Sequence, residues 1–500
     1  MEDILTTTTT TSILGSGTLL GPEPRMLVGG EWISTSATRP VDNPATGDVF
    51  TGVPEAEEEH VDQALRRARA AQRTWARLPL AQRADVLAEI VRQVDLHAEE
   101  LARIVVAEQG KTITEARGEI QGVKSFFDFA LSQKYRNVGE LVAPSRPGAQ
   151  LTIREEPVGV VVAIIPWNFP AAIFARKVAP ALMAGNAIVL KPSEVTPLSA
   201  LAMARVCQLA EVPDGLLSVI TGPGRSIGKA LVEHPVTDMV TVTGSTRAGR
   251  EILAQAAEKI IPVSLELGGK APVIVFDDAD LELAVQDAFE ARFWNCGQVC
   301  TCNERTYVQR GVYDEFVRRF VDKVRGLKVG DPTDESSQMG PKVSAAEWAK
   351  VKEFVDNAVA AGAKVEIGGG RPEGVDEGGH WFAPTVLTGV TNDMEIVQHE
   401  VFGPVLPIIP FDTYEEVIEW ANSTVYGLTS HVYTENMRVA MTATDDLEFG
   451  EVYINRIGPE EVGGFHTGWK LSGMGGDDGQ HGFERYTHRK TVYVDYGPQR

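Results

Sequence analysis

Cysteine is scarce in this chain: four in 500 residues, three of them between Cys296 and Cys302. So few, so unevenly placed, fit a reducing compartment and argue against a disulfide scaffold. Basic residues are also short, 47 Lys and Arg against 69 Asp and Glu, for a formal net charge of -22. That surplus repels phosphate backbones and anionic lipid, so neither nucleic acid nor a membrane surface is an expected partner, although a local cationic pocket remains open. No apolar run reaches the roughly 20 residues needed to span a bilayer. The first residues lack the basic n-region and apolar core of a secretory signal, opening instead on Glu2 and Asp3, and they lack the arginines of a transit peptide. Thr6 to Thr11 is a homopolymeric run, followed by Gly15, Gly17, Gly21, Pro22 and Pro24. Residues 1–23 therefore read as a disordered leader on a cytoplasmic protein.

What is present is ordinary globular composition, 43% hydrophobic and 23% charged. The chain is too long for one core, so two or three domains are expected. Met26 to Ile33 reads as a strand pair turning at Gly29-Gly30. Glu57 to Trp75 and Leu80 to Ala107 space their apolar residues by three and four, as two amphipathic helices do, and Glu115 to Tyr135 is a third. From Val158 to Leu267 strand-like runs (160–165, 187–190, 216–220, 239–243, 263–267) alternate with helix-like ones, the signature of a parallel sheet covered on both faces. Such sheets bind ligands at the carboxyl ends of their strands. There Thr243-Gly244-Ser245-Thr246 leads into a helix, whose N-terminal N–H groups favour a phosphate, although a Gly-Ser turn is most often only a cap. A second alternation from Thr306 to Ile454 predicts a second α/β domain. Thr491 to Tyr496 alternates like a strand with no partner near it in sequence, and a sheet of another subunit would cover it.

The chemistry gathers around Phe293 to Arg305, with Asn295, Cys296, Gly297, Gln298, Val299, Cys300, Thr301 and Cys302 at its centre. A Gly-Gln pair just before Cys300 permits a tight turn that leaves the thiol uncrowded. A thiolate there is a strong nucleophile, and a neighbouring backbone N–H can receive the oxyanion its attack creates. Two other readings stay open at this point: a structural core cysteine, or a zinc site from the three clustered cysteines. Against zinc, Cys-x3-Cys-x-Cys contains no CxxC pair, and Cys207 is isolated.

Pro166-Trp167-Asn168-Phe169-Pro170, Leu265-Glu266-Leu267-Gly268-Gly269-Lys270, the Asn295-to-Cys300 run and Glu400-Val401-Phe402-Gly403-Pro404 together resemble, in order and spacing, the aldehyde dehydrogenase superfamily. The resemblance covers nearly everything from Met26 to Tyr496. It implies an NAD-binding domain built on an open parallel sheet (24–140 and 157–267), a second α/β, catalytic domain (268–483) and small oligomerisation strands (141–156 and 484–500), hence a homodimer or homotetramer. It makes Cys300 the nucleophile, Asn168 and the Cys300 N–H the oxyanion donors, and Glu266 the base that activates water on the thioester. NAD is the implied cofactor and no metal is called for. Lys191 and Glu194 would meet the adenine-side ribose, with the Glu194 carboxylate repelling a 2′-phosphate. Ser245 would meet the pyrophosphate, and Glu400 and Phe402 the nicotinamide ribose and ring face, with Trp167, Gly244 and Leu267 as further cofactor contacts. The run of Gly222, Gly224 and Gly228 has one residue too many for a dinucleotide fingerprint and carries little weight.

The chain also departs from the family pattern. Arg176-Lys177 stands where many members carry Trp-Lys, and His466 stands where a tunnel Phe is usual. With Thr301 beside the nucleophile, these imply a polar tunnel for a small hydroxylated aldehyde, most like the lactaldehyde/glycolaldehyde dehydrogenase branch. The alternative is an anionic semialdehyde or sulfonated aldehyde paired with Arg176. A third reading, a non-catalytic member of the fold, has to explain why Cys300, Glu266 and Asn168 are all present.

Overall fold

The computed structural model describes residues 14–497. The Thr6–Thr11 run lies outside them, but the expected leader boundary at residue 23 does not hold. Leu19 and Leu20 are buried in the core, and the Leu19 N–H donates to Glu100. Two apolar residues inside the Gly-rich segment are enough to dock it.

The first α/β unit is an eight-stranded sheet. Five parallel strands form its middle, in the spatial order Leu217–Val219, Ala187–Lys191, Val160–Ile164, Met239–Thr243 and Val263–Glu266. Nearly every residue of these strands is buried, as expected of strands covered by helices on both faces. The hairpin Met26–Val28/Glu31–Ile33 adds antiparallel at one edge, turning at Gly29 and Gly30 with φ of 59° and 101°. At the other edge Gly473–Met474 pairs with Val263–Glu266, so the far end of the chain returns to complete the first sheet. Strand order reverses beside Val160–Ile164, which places a crevice between the carboxyl ends of that strand and Met239–Thr243.

The second sheet has seven strands, six of them parallel to their neighbours, centred on Asn303–Gln309 and Ala271–Val275. The expected helix Leu80 to Ala107 is two helices, Leu80–Leu96 and Ala98–Gln109, broken at His97, whose backbone (φ −111°, ψ 12°) is not helical.

The tail corrects a further expectation. Thr487–Asp495 is not unpaired: it runs antiparallel to Ala149–Pro157 of the same chain over nine residue pairs, and Gly139–Val142 pairs on the far side. The partner lies more than 300 residues back in sequence, beyond the reach of any local pattern.

Candidate active site

Candidate site residues of the first unit sit at the carboxyl ends of parallel strands. Lys191 ends one; Trp167 and Asn168 follow the next; Gly244 and Ser245 follow the third; Glu266 ends the fourth. Facing them is the loop 294–302, which leads into the second sheet through Asn303–Gln309.

That loop is held in an unusual shape. Asn295, Cys296 and Gly297 all have left-handed backbones (φ 49°, 55° and 69°), and a Cβ on Gly297 would fall 2.3 Å from the Gly403 carbonyl oxygen. The tight turn therefore lies just before Gln298, with glycine required where the loop packs against Gly403. Left-handed backbone at Asn295 and Cys296 costs of order 1 kcal/mol each and needs support. Asn295 supplies much of it. Its N–H donates to Glu115, its Oδ1 accepts from Gln109, and its Nδ2 donates to the Asn168 carbonyl, at 2.7–2.9 Å. The Asn168 Nδ2 in turn donates to the Gln298 carbonyl at 2.9 Å, leaving its second hydrogen free. Asn168 is thus fastened to the cysteine loop through its backbone carbonyl and its side-chain Nδ2.

The cysteines separate by environment. Cys207, Cys296 and Cys302 are buried, and burial pushes each thiol up to about 12. The Cys302 sulfur is engaged by the Arg292 guanidinium at 2.8 Å and by the Val299 carbonyl. Cys300 alone is partly exposed. Among the described residues no three His, Cys, Asp or Glu side chains are grouped so as to hold a metal ion.

Glu266 is almost fully buried, and neither carboxylate oxygen has a hydrogen-bond partner. Burial pushes it up to about 8, against the attraction of His466. The His466 Nε2 lies 3.7 Å from Glu266 and its Nδ1 2.7 Å from Glu451. Arg176 is buried and already matched by two carboxyls, Glu460 and, at 2.7 Å, Asp478, with its face over Phe126. Thr301 lines a cleft of about 580 Å³ together with Trp294, Val299, Gly458 and Pro459. Cys300, Glu266 and His466 lie outside its lining. Glu451, Glu460 and Asp478 escaped sequence reasoning; the only signal for Glu460 was its place six residues before His466, in a departure from the family pattern.

On the opposite side the residues fit a dinucleotide. The Lys191 ammonium is buried with one acceptor, the Pro192 carbonyl at 3.0 Å, so donors remain for ligand hydroxyls. Burial holds it down to about 8. Ser245 caps the helix Thr246–Ala257, whose N-terminus points its free N–H groups into the crevice. Gly249 lets Leu267 lie against that helix, where a Cβ would come within 2.7 Å of the leucine side chain. Glu194 accepts from the Gly224 N–H at 2.7 Å and pairs with Arg39 at 3.1 Å, so its charge is partly matched within the protein. Glu400 accepts from the Gly269 N–H, and burial pushes it up to about 7. Phe402, in a left-handed conformation (φ 58°), sets its ring edge-to-face with Trp167 at 5.3 Å, and its carbonyl accepts from buried Lys342.

A family model described as "Aldehyde dehydrogenase family" matches residues 32–492. The chain is 60% identical to 3,6-anhydro-alpha-L-galactose dehydrogenase of Streptomyces coelicolor over 97% of its length and 99% of the relative's. It is 42% identical to lactaldehyde dehydrogenase of Escherichia coli, covering 94% and 98% of the two chains. A solved structure of 3,6-anhydro-L-galactose dehydrogenase in complex with NAP superposes with a TM-score of 0.92 at 47% identity, covering 94% of this chain and 99% of that one.

Proposed function

The chain belongs to the aldehyde dehydrogenase family, and on that premise we propose that it oxidises a hydroxylated aldehyde of the 3,6-anhydro-L-galactose or lactaldehyde kind to its carboxylic acid. The observation that carries the substrate class is the composition of the pocket behind Cys300. Arg176 brings a cation, but Glu460 and Asp478 already match it, and Glu266 and Glu451 stand close by. An anionic semialdehyde or sulfonated aldehyde would meet more carboxyls than free cations, which disfavours that alternative. Hydroxyl groups fit both sides of the set: Glu460 can accept from them, and Arg176 and His466 can donate. The 60% identity to an anhydrosugar dehydrogenase, against 42% to a lactaldehyde dehydrogenase, favours the larger polyhydroxylated substrate.

In this reading the Cys300 thiolate attacks the aldehyde carbon, and the free Asn168 Nδ2 hydrogen and the Cys300 N–H receive the oxyanion. NAD, held by Lys191, Glu194, Trp167, Gly244, Ser245, Leu267, Glu400 and Phe402, supplies the hydride acceptor. Cys300 then holds the acyl group as a thioester. Water adds to the acyl carbon, its proton passes to Glu266, and the carbon–sulfur bond breaks to return the thiolate. Burial suits Glu266 to this step, since a base works best when tuned near the operating pH. Self-association as a dimer or tetramer is proposed through the three-stranded sheet, where Leu141, Tyr493, Val494 and Tyr496 are exposed.

Initial rates of NADH formation with 3,6-anhydro-L-galactose, lactaldehyde, succinate semialdehyde and hexanal test the reading. The two hydroxyaldehydes should give the highest kcat/KM; preference for hexanal or the semialdehyde contradicts it.

A further inference from the structure

Behind the nucleophile three cations, Arg176, Lys177 and His466, face five carboxyls, Glu266, Glu451, Glu460, Asp477 and Asp478. Two of the cations are committed. Lys177 pairs with Asp477 at 2.5 Å, and Arg176 is shared between Glu460 and Asp478. His466 is left to serve Glu451 and Glu266. Its Nδ1 meets Glu451 Oε1 at 2.7 Å, and its Nε2 stands 3.7 Å from Glu266 Oε2. The ring is 2% exposed, so bulk solvent does not screen these contacts. Glu451 is itself fixed: its second oxygen accepts from the Tyr453 hydroxyl, and the Tyr453 ring stacks on buried His431 at 5.0 Å. A line of contacts therefore runs from the second sheet, through strand Glu451–Ile454, to the carboxyl that the first sheet leaves without a hydrogen-bond partner.

We infer that Glu451 is a positioning residue for thioester hydrolysis: by anchoring the Nδ1–H it keeps His466 an imidazolium whose Nε2–H faces Glu266, so that Glu266 is ionised when water attacks. This rests on the reading of Glu266 as the deacylation base. The charge balance supports it independently. Burial opposes a charge on His466, but Glu460, Cys300, Glu451 and Glu266 outweigh burial and hold the imidazole well above its usual range. On Glu266, burial is opposed by His466, Lys177 and Arg176 and reinforced by Asp477. With Lys177 and Arg176 committed to other carboxyls, His466 is the cation free to favour the Glu266 anion, and Glu451 holds it there. Glutamine at 451 keeps an oxygen for Nδ1–H and removes only the charge.

The test is kcat against pH for wild type, Glu451→Gln and Glu451→Asp, with the pre-steady-state NADH burst recorded for each. Loss of the imidazolium raises the pH at which Glu266 ionises, so the acid limb of Glu451→Gln should move up. A shift of one unit makes turnover about tenfold slower on the acid side, recovered near pH 9, and the burst should be retained. Glu451→Asp should restore the wild-type profile in part. The inference is overturned by an equal loss at every pH, which marks mere structural support, by an unchanged profile, or by loss of the burst, which places Glu451 in acylation. Glu266→Gln is the separate control: if it turns over normally, the base assignment fails on its own evidence.

Discussion

Two glutamates buried around the same loop have opposite fates. Glu304 lies beneath it, between Lys270 at 2.8 Å and Arg292 at 3.2 Å, and also accepts the N–H groups of Val401 and Phe402. Burial alone would raise it, but Lys270 and Arg292 prevail and hold it down at about 2. Glu266 lies across the crevice, equally buried, with no hydrogen-bond partner and a value near 8. One carboxylate is fully satisfied and fastens the Phe402 turn to the cysteine loop. The other is left unsatisfied, a cost that a folded chain tolerates where chemistry needs a base. Burial does not tell them apart; partners do.

The cysteines sharpen the same contrast with the largest expected effect. Cys300→Ser should abolish turnover while NAD still binds. Cys302→Ser, which changes a thiol already committed to Arg292 and Val299, should keep most activity. The reverse pattern in steady-state rates would move the nucleophile.

Stability should separate the glutamates next. Glu304→Gln strands Lys270 and Arg292 and should cost about 3–5 kcal/mol in denaturant unfolding at pH 7. The pH dependence has a definite sign. The Glu304 value falls on folding from the usual 4.5 to about 2, so its contribution is present above 4.5 and is lost as pH falls through about 2. The Glu266 value rises to about 8, so its contribution is present below 4.5 and is lost as pH rises through about 8. Glu266→Gln should therefore gain stability over wild type as pH rises through that window. Parallel pH profiles for the two variants would erase the distinction.

Arg176→Leu with His466→Phe should reverse substrate order, weakening hydroxyaldehydes by roughly tenfold or more per lost contact and admitting hexanal. Unchanged kcat/KM ratios would remove both residues from the substrate. The smallest effect concerns the cofactor. Replacing Glu194 by alanine should narrow the gap between NAD and NADP, but only modestly, because Arg39 already matches part of its charge. An unaltered ratio would place discrimination elsewhere.

The two glutamates also mark what was legible in the sequence. Glu266 stands in a local motif at a strand end, as do Asn168, Lys191 and Ser245, and alternation of strand and helix was enough to place them on one crevice. Glu304 sits within a recognised stretch, yet its role depends on Lys270 and on backbone groups about a hundred residues away. Arg176 was legible as unusual, but not as spent: its partners Glu460 and Asp478 are some 300 residues distant. The tail strand failed in the same way, its partner Ala149–Pro157 being as remote. Ala271–Val275 is different. It directly follows Gly268-Gly269-Lys270, and Pro272 inside its five residues interrupts the strand signal.

The account turns on Glu266 being the unsatisfied carboxyl that hydrolyses the thioester, and rapid mixing of Glu266→Gln with NAD and a saturating hydroxyaldehyde tests it most directly. The prediction is a burst of NADH equivalent to one turnover per active site, at the wild-type acylation rate, followed by a near stall. Steady NADH formation at the wild-type rate, or a slow trace with no burst, would contradict it.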